Sequence, residues 1–225
     1  MNTKKIGVLG GIGPEATGEF YNKLIRGLRE KGTIKSNKDF PQIVINSIPA
    51  QELIYDEISD EELQPYINGL KELEKFGVDF IVMVCNTIHL YYDKLQSEIN
   101  TPILDLREEL RELLKIKEIK SNFIIGTPST IKQGLYKFRD IKSFEPDEEE
   151  MKQLTISIFK FNKGTQKQEQ VKNVKKICEK YLSDGAETII LGCTEFAVML
   201  GEENIPTINT INVLVEATIR KFSPE

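Results

Sequence analysis

Two of the three cysteines stand at the ends of matching sequence segments. Residues 77–87, GVDFIVMVCNT, align with residues 185–194, GAETIILGCT, so that Cys85 and Cys193 each follow a glycine by eight positions. In both segments an acidic residue and an apolar run precede the cysteine, and a threonine, Thr87 or Thr194, comes within two residues after it. Because open parallel sheets bind ligands at the carboxyl ends of their strands, the repeat predicts two cysteines that face one cleft.

Two thiols that face each other across a cleft could move protons. A thiol has an ordinary pKa of about 8.5, which falls beside a helix N-terminus, so thiol and thiolate are both accessible near neutrality. A thiolate on one face of a carbon acid removes a proton, and a thiol on the other face delivers one, which inverts the stereocentre without a cofactor. The planar carbanion needs donors, and backbone N–H groups at helix starts could supply them together with Asn86, Thr87, Thr130 and Thr194.

Other readings of the cysteines and of the single histidine stay open. A redox disulfide needs Cα atoms within about 7 Å, which a substrate between the two cysteines does not suit. His89 lies four positions after Cys85, so a Cys–His nucleophile pair requires both side chains to face one cleft, and a structural role for His89 is equally well supported. Cys178 lies in an amphipathic stripe with Val171 and Val174, which predicts a core position. No CxxC pair is present, and the ligand supply is too small for structural zinc.

A glycine-rich loop follows the first apolar run. Gly11-Ile-Gly13-Pro-Glu-Ala16 fits a relaxed dinucleotide-binding fingerprint. The next strand-like run, however, ends in Asn46 and Ser47 and offers no acidic residue to hold a ribose, and no phosphate loop of the GxxxxGK[ST] type is present. The pattern therefore does not favour nucleotide binding.

Apolar runs alternate with helix-period segments along the chain. Strands are predicted at residues 6–9, 42–47, 79–84, 102–106, 122–127, 187–191 and 207–208, and helices at 14–31, 60–76, 89–99, 129–139, 148–161, 168–183 and 212–222. This alternation predicts an α/β fold of two pseudo-symmetric halves, each a mainly parallel sheet flanked by helices, with the active site in the cleft between them. We expect residues 1–105 to form the half with Cys85 and residues 106–209 the half with Cys193, while a helix at about 210–225 packs back on the first half.

The amino-acid composition argues against several classes of function. The chain has 225 residues, 29% charged and 40% hydrophobic, with a formal net charge of −5, which is typical of a globular protein. The acidic balance argues against nucleic-acid binding, which needs a basic face. The longest apolar run, residues 80–85, is far shorter than the roughly 20 residues of a membrane helix. The N-terminal apolar stretch is glycine-rich and ends at Pro14, unlike a signal peptide, so we expect a cytoplasmic protein without a membrane or nucleic-acid partner.

Five segments together resemble one known family. KKIGVLGGIGPEAT, MVCNTIH, GTPSTIKQGLY, PDEEE and IILGCTEF are similar to motifs of the aspartate racemase branch of the Asp/Glu/hydantoin racemase superfamily, and they occur in the family's order over nearly the whole chain. The resemblance implies a PLP-independent amino-acid racemase with no cofactor, a small acidic amino-acid substrate, two α/β domains with the active site between them, and a homodimer.

The resemblance also implies roles for individual residues. Cys85 and Cys193 would be the two acid/base thiols. Residues that would hold the substrate or line the pocket are Asn86, Thr87, Thr127, Thr130, Lys163 and Thr194. Lys163 matches the family's carboxylate-binding lysine, although Lys160 is close enough to compete and Lys163 could equally be a solvated lysine at a helix end.

The chain departs from the family pattern where a second substrate carboxylate would be recognised. After the second strand the family reads N-x-x-I-P-D-R, whereas this chain has NSIPAQ, so that Gln51 stands in the arginine's place. A glutamine offers no charged bidentate fork. Ser129 and Asn209 are further departures. The substrate is therefore expected to be aspartate or glutamate held by other donors, or a different acid. The alternatives are another racemase, isomerase or decarboxylase of the superfamily, or a non-catalytic relative that binds a ligand.

Overall fold

The computed structural model describes residues 4–32, 34–50, 53–54, 58–201 and 203–222 and has an α/β architecture with two parallel sheets. The first sheet has the order β2-β1-β3, with β1 at Lys5–Gly10, β2 at Gln42–Ser47 and β3 at Phe80–Met83. The second has the order β5-β4-β6-β7, with β4 at Ser121–Gly126, β5 at Lys142–Phe144, β6 at Thr188–Gly192 and β7 at Thr207–Asn209. Every strand pair in the described part of the chain is parallel. The predicted fold class is confirmed.

Helices connect and cover the strands. They are α1 (Pro14–Glu30), α2 (Asp60–Lys75), α3 (Tyr92–Ser97), α4 (Leu106–Ile116), α5 (Pro128–Lys132), α6 (Glu148–Asn162), α7 (Lys167–Ser183), α8 (Thr194–Met199) and α9 (Thr210–Phe222), with 3₁₀ turns at Asn37–Asp39 and Thr87–Tyr91. Local chemistry sets several starts: Ser59 and Glu62 form a capping box at α2, and Asp147 and Glu150 form another at α6. No described helix combines the length and the apolar character needed to cross a membrane.

Strands β1 and β3 of the first sheet are buried on both faces, whereas the edge strand β2 is partly exposed. Ile6 and Val8 on one face belong to a hydrophobic cluster that also contains Phe20 and Leu24 of α1. Leu9, on the other face, belongs to a cluster with α2 side chains such as Leu63, Ile67 and Leu70. Each fully buried side chain of this kind contributes roughly 1.5–3 kcal/mol of transfer free energy. The two helix layers therefore hold the sheet, and with it the strand ends, in a fixed position.

The carboxyl-terminal helix returns to the first helix of the chain. Helix α9 packs against α1 and α4, and Lys23 of α1 donates a hydrogen bond to Asn212 at 2.7 Å. A Cβ on Gly27 would lie 2.6 Å from Ile219 Cδ1, so the glycine lets the two helices approach closely. The same helix also contacts β6 and β7 of the second sheet. The proposed division into halves near residue 105 stays a prediction.

Some predicted elements were wrong. Residues 102–106 do not form a strand, because only Ile103 bridges to Ile81 before Asp105 caps α4. The helix predicted over 89–99 is a 3₁₀ turn followed by the short α3, and the helix predicted over 129–139 ends at Lys132, shortly before Gly134 turns to φ +67°. Helices α4 and α8 and strand β5 were not predicted.

Candidate active site

A cleft of about 620 Å³ lies where strand ends of the two sheets meet. Loops after β1, β2 and β3 form its first wall, and residues after β4 and β6 form the second, together with the end of α6. Because the strands are parallel within each sheet, their carboxyl ends share one edge, which is where such sheets bind ligands. The described lining residues are Gly11, Ile12, Gly13, Pro14, Glu15, Ala16, Ser47, Ile48, Pro49, Ala50, Leu53, Ile54, Cys85, Asn86, Thr87, Thr127, Phe161, Asn162, Cys193, Thr194, Glu195 and Val198.

Both repeat cysteines lie in this cleft. Cys85 follows β3 from one half and Cys193 follows β6 from the other, and their exposed fractions are 8% and 6%. The glycines that begin the repeat, Gly77 and Gly185, have φ of +68° and +103° just after α2 and α7, so they end those helices in the left-handed region. Cys178 is fully buried in the core and does not line the cleft. All three cysteines are free.

Burial keeps the two cleft thiols protonated near neutral pH. Desolvation raises the pKa of Cys85 to about 12, and the negative charge of Glu195 adds to this rise. Desolvation also raises the pKa of Cys193 well above its ordinary value, again with a contribution from Glu195. Backbone N–H groups act in the opposite direction: those of Ile88 and Thr87 lower the pKa of Cys85, and that of Glu195 lowers the pKa of Cys193. The helix and turn starts therefore offset part of the desolvation.

A carboxylate contacts one of the two sulfurs. Cys193 Sγ donates a hydrogen bond to Glu195 Oε2 at 2.8 Å, and the Thr194 hydroxyl donates to the same oxygen at 3.1 Å. Asn162 Nδ2, at the end of α6, donates to Glu195 Oε1 at 3.1 Å. Three donors therefore hold this carboxylate beside the thiol. Neither Glu195 nor Asn162 was predicted as a site residue, although an acidic residue two positions after the second cysteine was a signal for Glu195.

Three threonine hydroxyls join the walls of the cleft. Thr87 Oγ1 lies 3.1 Å from Thr127 Oγ1 and 3.1 Å from Thr130 Oγ1, and Thr127 donates to Thr130 at 3.1 Å. Thr127 also caps α5 by accepting from the Thr130 N–H. Thr87 and Thr127 line the cleft, whereas Thr130 is buried behind them. The cluster connects the first half, through Thr87, with the start of α5.

Asn86 is held by a tyrosine from the other half. The buried Tyr136 hydroxyl donates to Asn86 Oδ1 at 2.6 Å. Since the amide oxygen is engaged there, the Asn86 NH₂ group remains as a donor for the cleft that the residue lines. The sequence analysis placed Asn86 in the pocket but gave Tyr136 no role.

The glycine loop forms a backbone wall of the cleft. Gly11 has φ +86°, and a Cβ there would lie 2.2 Å from the Ile48 carbonyl oxygen. Gly13 has φ +92°, and a Cβ there would lie 3.2 Å from Thr194 Oγ1 on the opposite wall. Left-handed backbone and close approach are therefore the physical reasons for both glycines.

The structure does not bring every predicted site residue to the cleft. Lys163 follows the last residue of α6 and is exposed, while Lys160 is half-buried, and neither lines the cleft. Their roles as carboxylate ligands stay predictions. Gln51 lies outside the described residues. Thr194 lines the cleft beside Cys193.

His89 lies behind the cleft. Its ring is fully buried, with Nε2 3.4 Å from the Met83 carbonyl oxygen and Nδ1 3.9 Å from Asp105 Oδ1. Burial lowers its pKa to about 4. Because His89 does not line the cleft, the position gives no support to a Cys85–His89 nucleophile pair.

Comparisons with known proteins identify the family. The family model described as Asp/Glu/Hydantoin racemase matches residues 9–218. The broad specificity amino-acid racemase RacX of Bacillus subtilis (strain 168) is 28% identical over 230 residues, which cover 96% of this chain and 97% of that protein.

Solved structures agree with this match. An aspartate racemase homologue from Pyrococcus horikoshii has a TM-score of 0.75 at 28% identity, and the alignment covers 97% of this chain and 99% of that one. Picrophilus torridus aspartate racemase has a TM-score of 0.78 at 25% identity, covering 97% and 94%. Since the family model spans most of its length, the chain belongs to the Asp/Glu/Hydantoin racemase family.

Proposed function

We propose that this protein is a cofactor-independent amino-acid racemase in which Cys85 and Cys193 act on opposite faces of the α-carbon. The observation that carries the proposal is that two thiols from equivalent strand ends of the two sheets line one cleft of about 620 Å³. That volume is within the usual range of small-molecule sites. The relative RacX, named as a broad specificity amino-acid racemase, and the aspartate racemase from Picrophilus torridus support the same reaction class.

Glu195 is suited to activate the second thiol. It accepts the Cys193 S–H hydrogen bond at 2.8 Å, so it can take up the thiol proton and leave a thiolate. The ammonium group of a bound amino acid favours that ionisation through its positive charge. The thiolate removes the α-proton of one enantiomer, and the Cys85 thiol delivers its own proton to the opposite face of the carbanion. A proton that passes from Glu195 through solvent to the Cys85 thiolate then restores the starting state.

The carbanion formed between the thiols needs donors around the substrate carboxylate. The Asn86 amide, oriented by Tyr136, and the hydroxyls of Thr87, Thr127 and Thr194 are available in the cleft wall. Such donors act where charge develops in the transition state and lie in a site with little water, which makes them more effective than in solution. Thr130 acts through its hydrogen bonds to Thr87 and Thr127.

The experiment compares Cys85→Ser and Cys193→Ser with Cys178→Ala as the matched control, because Cys178 is a buried cysteine outside the cleft. Each protein is incubated in D₂O without added cofactor, with both enantiomers of aspartate, glutamate, asparagine, glutamine and lysine, and followed by proton NMR and chiral chromatography. We expect both serine variants to lose racemisation by roughly 10²–10⁴-fold. Each should still exchange the α-proton of one enantiomer, a different one for each variant.

Parent-like racemisation by both serine variants would overturn the two-cysteine mechanism. Absence of α-proton exchange by the parent protein with all five amino acids would contradict the racemase function itself. The homodimer, which the resemblance also implies, stays a prediction.

A further inference from the structure

Apolar side chains form much of the cleft lining. The described apolar lining residues are Ile12, Ile48, Pro49, Ala50, Leu53, Ile54, Phe161 and Val198. They come from the loops after β1 and β2, from α6 and from α8, whereas the donors Asn86 and Thr87 directly follow Cys85 and the donor Thr194 directly follows Cys193. An amino acid whose carboxylate meets those donors therefore extends its side chain along an apolar surface.

The described lining of the cleft includes no lysine or arginine that could receive a second carboxylate. Its described charged lining residues are Glu15 and Glu195, both negative, and none is lysine or arginine. Residues that the structure does not describe cannot add a cation, because residues 1–3, 33, 51–52, 55–57, 202 and 223–225 include neither Lys nor Arg.

The two lysines that follow α6, Lys163 and Lys167, do not line the cleft. Lys167 Nζ lies 3.7 Å from Glu15 Oε1 and 4.7 Å from the centre of the Phe161 ring, so its charge is balanced by Glu15. Lys163 is exposed and does not line the cleft. A carboxylate in an apolar wall with no paired cation is strongly disfavoured, whereas an uncharged side chain is not.

We propose, on the basis of the racemase function above, that the substrates are α-amino acids whose side chain is uncharged or positively charged, and that aspartate and glutamate are discriminated against. A long side chain with an aliphatic stem suits the apolar wall, and a positively charged tip meets no lysine or arginine among the described lining residues. The apolar, cation-free wall thus determines specificity, while the thiols and their donors act on the part that all amino acids share.

The test uses pairs of amino acids that differ in charge and hardly in shape. Initial α-proton exchange rates of the parent protein in D₂O are measured for L-glutamate against L-glutamine, for L-aspartate against L-asparagine, and for L-lysine. We expect kcat/KM to be at least roughly tenfold higher for each amide than for its acid, and L-lysine to be exchanged as well.

A charge placed in the wall should change this preference. Ala50 is a half-buried lining residue, so Ala50→Arg adds a guanidinium there, and Ala50→Gln adds a chain of similar length without charge. The ratio of glutamate to glutamine turnover should rise by roughly tenfold in the arginine variant and stay near the parent value in the glutamine variant. Circular dichroism establishes that both variants are folded.

The outcomes are distinct. Faster exchange of glutamate or aspartate than of its amide by the parent protein would overturn this inference and leave the racemase function intact. Exchange of none of the five amino acids would overturn the racemase function and this inference with it. Preference for the amides supports both, whether or not the Ala50 variants fold.

Discussion

The two repeat segments place Cys85 and Cys193 on similar backbone, but the charged and polar groups around the two sulfurs differ. Cys85 and Cys193 both follow a buried parallel strand and precede a helical turn. Cys193 donates to a carboxylate, Glu195, at 2.8 Å. At Cys85, within the described part of the chain, no hydrogen bond to a carboxylate is found, and the N–H groups of Thr87 and Ile88 lower its pKa instead. Behind the first turn lies the buried His89, whereas Ala197 stands four residues after Cys193.

This difference shows that two segments with similar backbones can surround their cysteine thiols with different charges. The repeated strand and glycine determine where each sulfur lies, but the residues just after the cysteine determine how easily its proton leaves. We therefore expect the two directions of racemisation to differ in their dependence on pH and on substitution.

The largest expected effect is that of Glu195→Gln, which makes the Cys193 end more like the Cys85 end. It removes the group that accepts the thiol proton, so kcat should fall by roughly 10²–10³-fold at neutral pH. It also removes a charge that raises the pKa of both thiols, so their alkylation by iodoacetamide should begin at lower pH than in the parent. The measurements are the pH profiles of kcat/KM and of alkylation.

Parent activity should itself rise with pH. Because both thiol pKa values are raised, that of Cys85 to about 12, the thiolate fraction grows about tenfold per pH unit through the neutral and mildly alkaline range. If Glu195→Gln racemised faster than the parent at neutral pH, the carboxylate would act only by raising the thiol pKa values and not as a base.

An intermediate effect is expected from His89, which has no counterpart in the second half. Its pKa is lowered to about 4 by burial, against about 6.5 in an unfolded chain, so the unfolded state binds more protons between these values. The protein should therefore be fully stabilised above pH 6.5 and lose stability as the pH falls toward 4, by about 3 kcal/mol in total from this residue.

The check is chemical denaturation at several pH values for the parent and for His89→Met, a substitution of similar size that does not titrate. The variant should lose less stability between pH 7 and pH 4.5 than the parent does. Equal losses in the two proteins would place the acid sensitivity in other groups.

The smallest expected effect is that of Tyr136→Phe, which frees Asn86 from the hydrogen bond that orients it. We expect kcat to fall by roughly tenfold with little change in KM, because an amide that can turn its oxygen toward the cleft stabilises the carbanion less well. Tyr181→Phe is the matched control, since Tyr181 donates to Glu150 and does not line the cleft. A change confined to KM would instead indicate that Asn86 serves ground-state binding alone.

Periodicity and repetition made much of the fold predictable. The strand at Gln42–Ser47 and the helices that begin at Pro14, Asp60 and Glu148 follow from apolar spacing and from capping residues. Helix α4 was missed because the apolar residues 102–106 suggested a strand, while Asp105 in fact caps a helix with a buried stripe of Leu106, Leu110 and Leu114. Strand β5 has only three residues, too few for a period to appear.

The positions of the cysteines were easier to anticipate than their surroundings. A repeat within the sequence predicts equivalent strand ends, but the contact of Asn162 with Glu195 joins α6 to α8, and that of Tyr136 with Asn86 joins two halves. No local sequence pattern predicts such contacts between residues that are far apart in the chain. The charge of the cleft likewise depends on which loops face it, and so the apolar wall became visible only in three dimensions.

The return of α9 to α1 has a consequence for synthesis on the ribosome. The surface of α1 around Gly27 is covered by Ile219, which is made almost a full chain length later. At about 5–20 residues per second, this surface waits roughly 10–40 seconds for its partner. During that interval helix α1 presents the apolar surface that α9 covers in the complete chain. A chain that stops before Thr210 is therefore expected to aggregate or to remain bound to chaperones rather than to leave a folded first half.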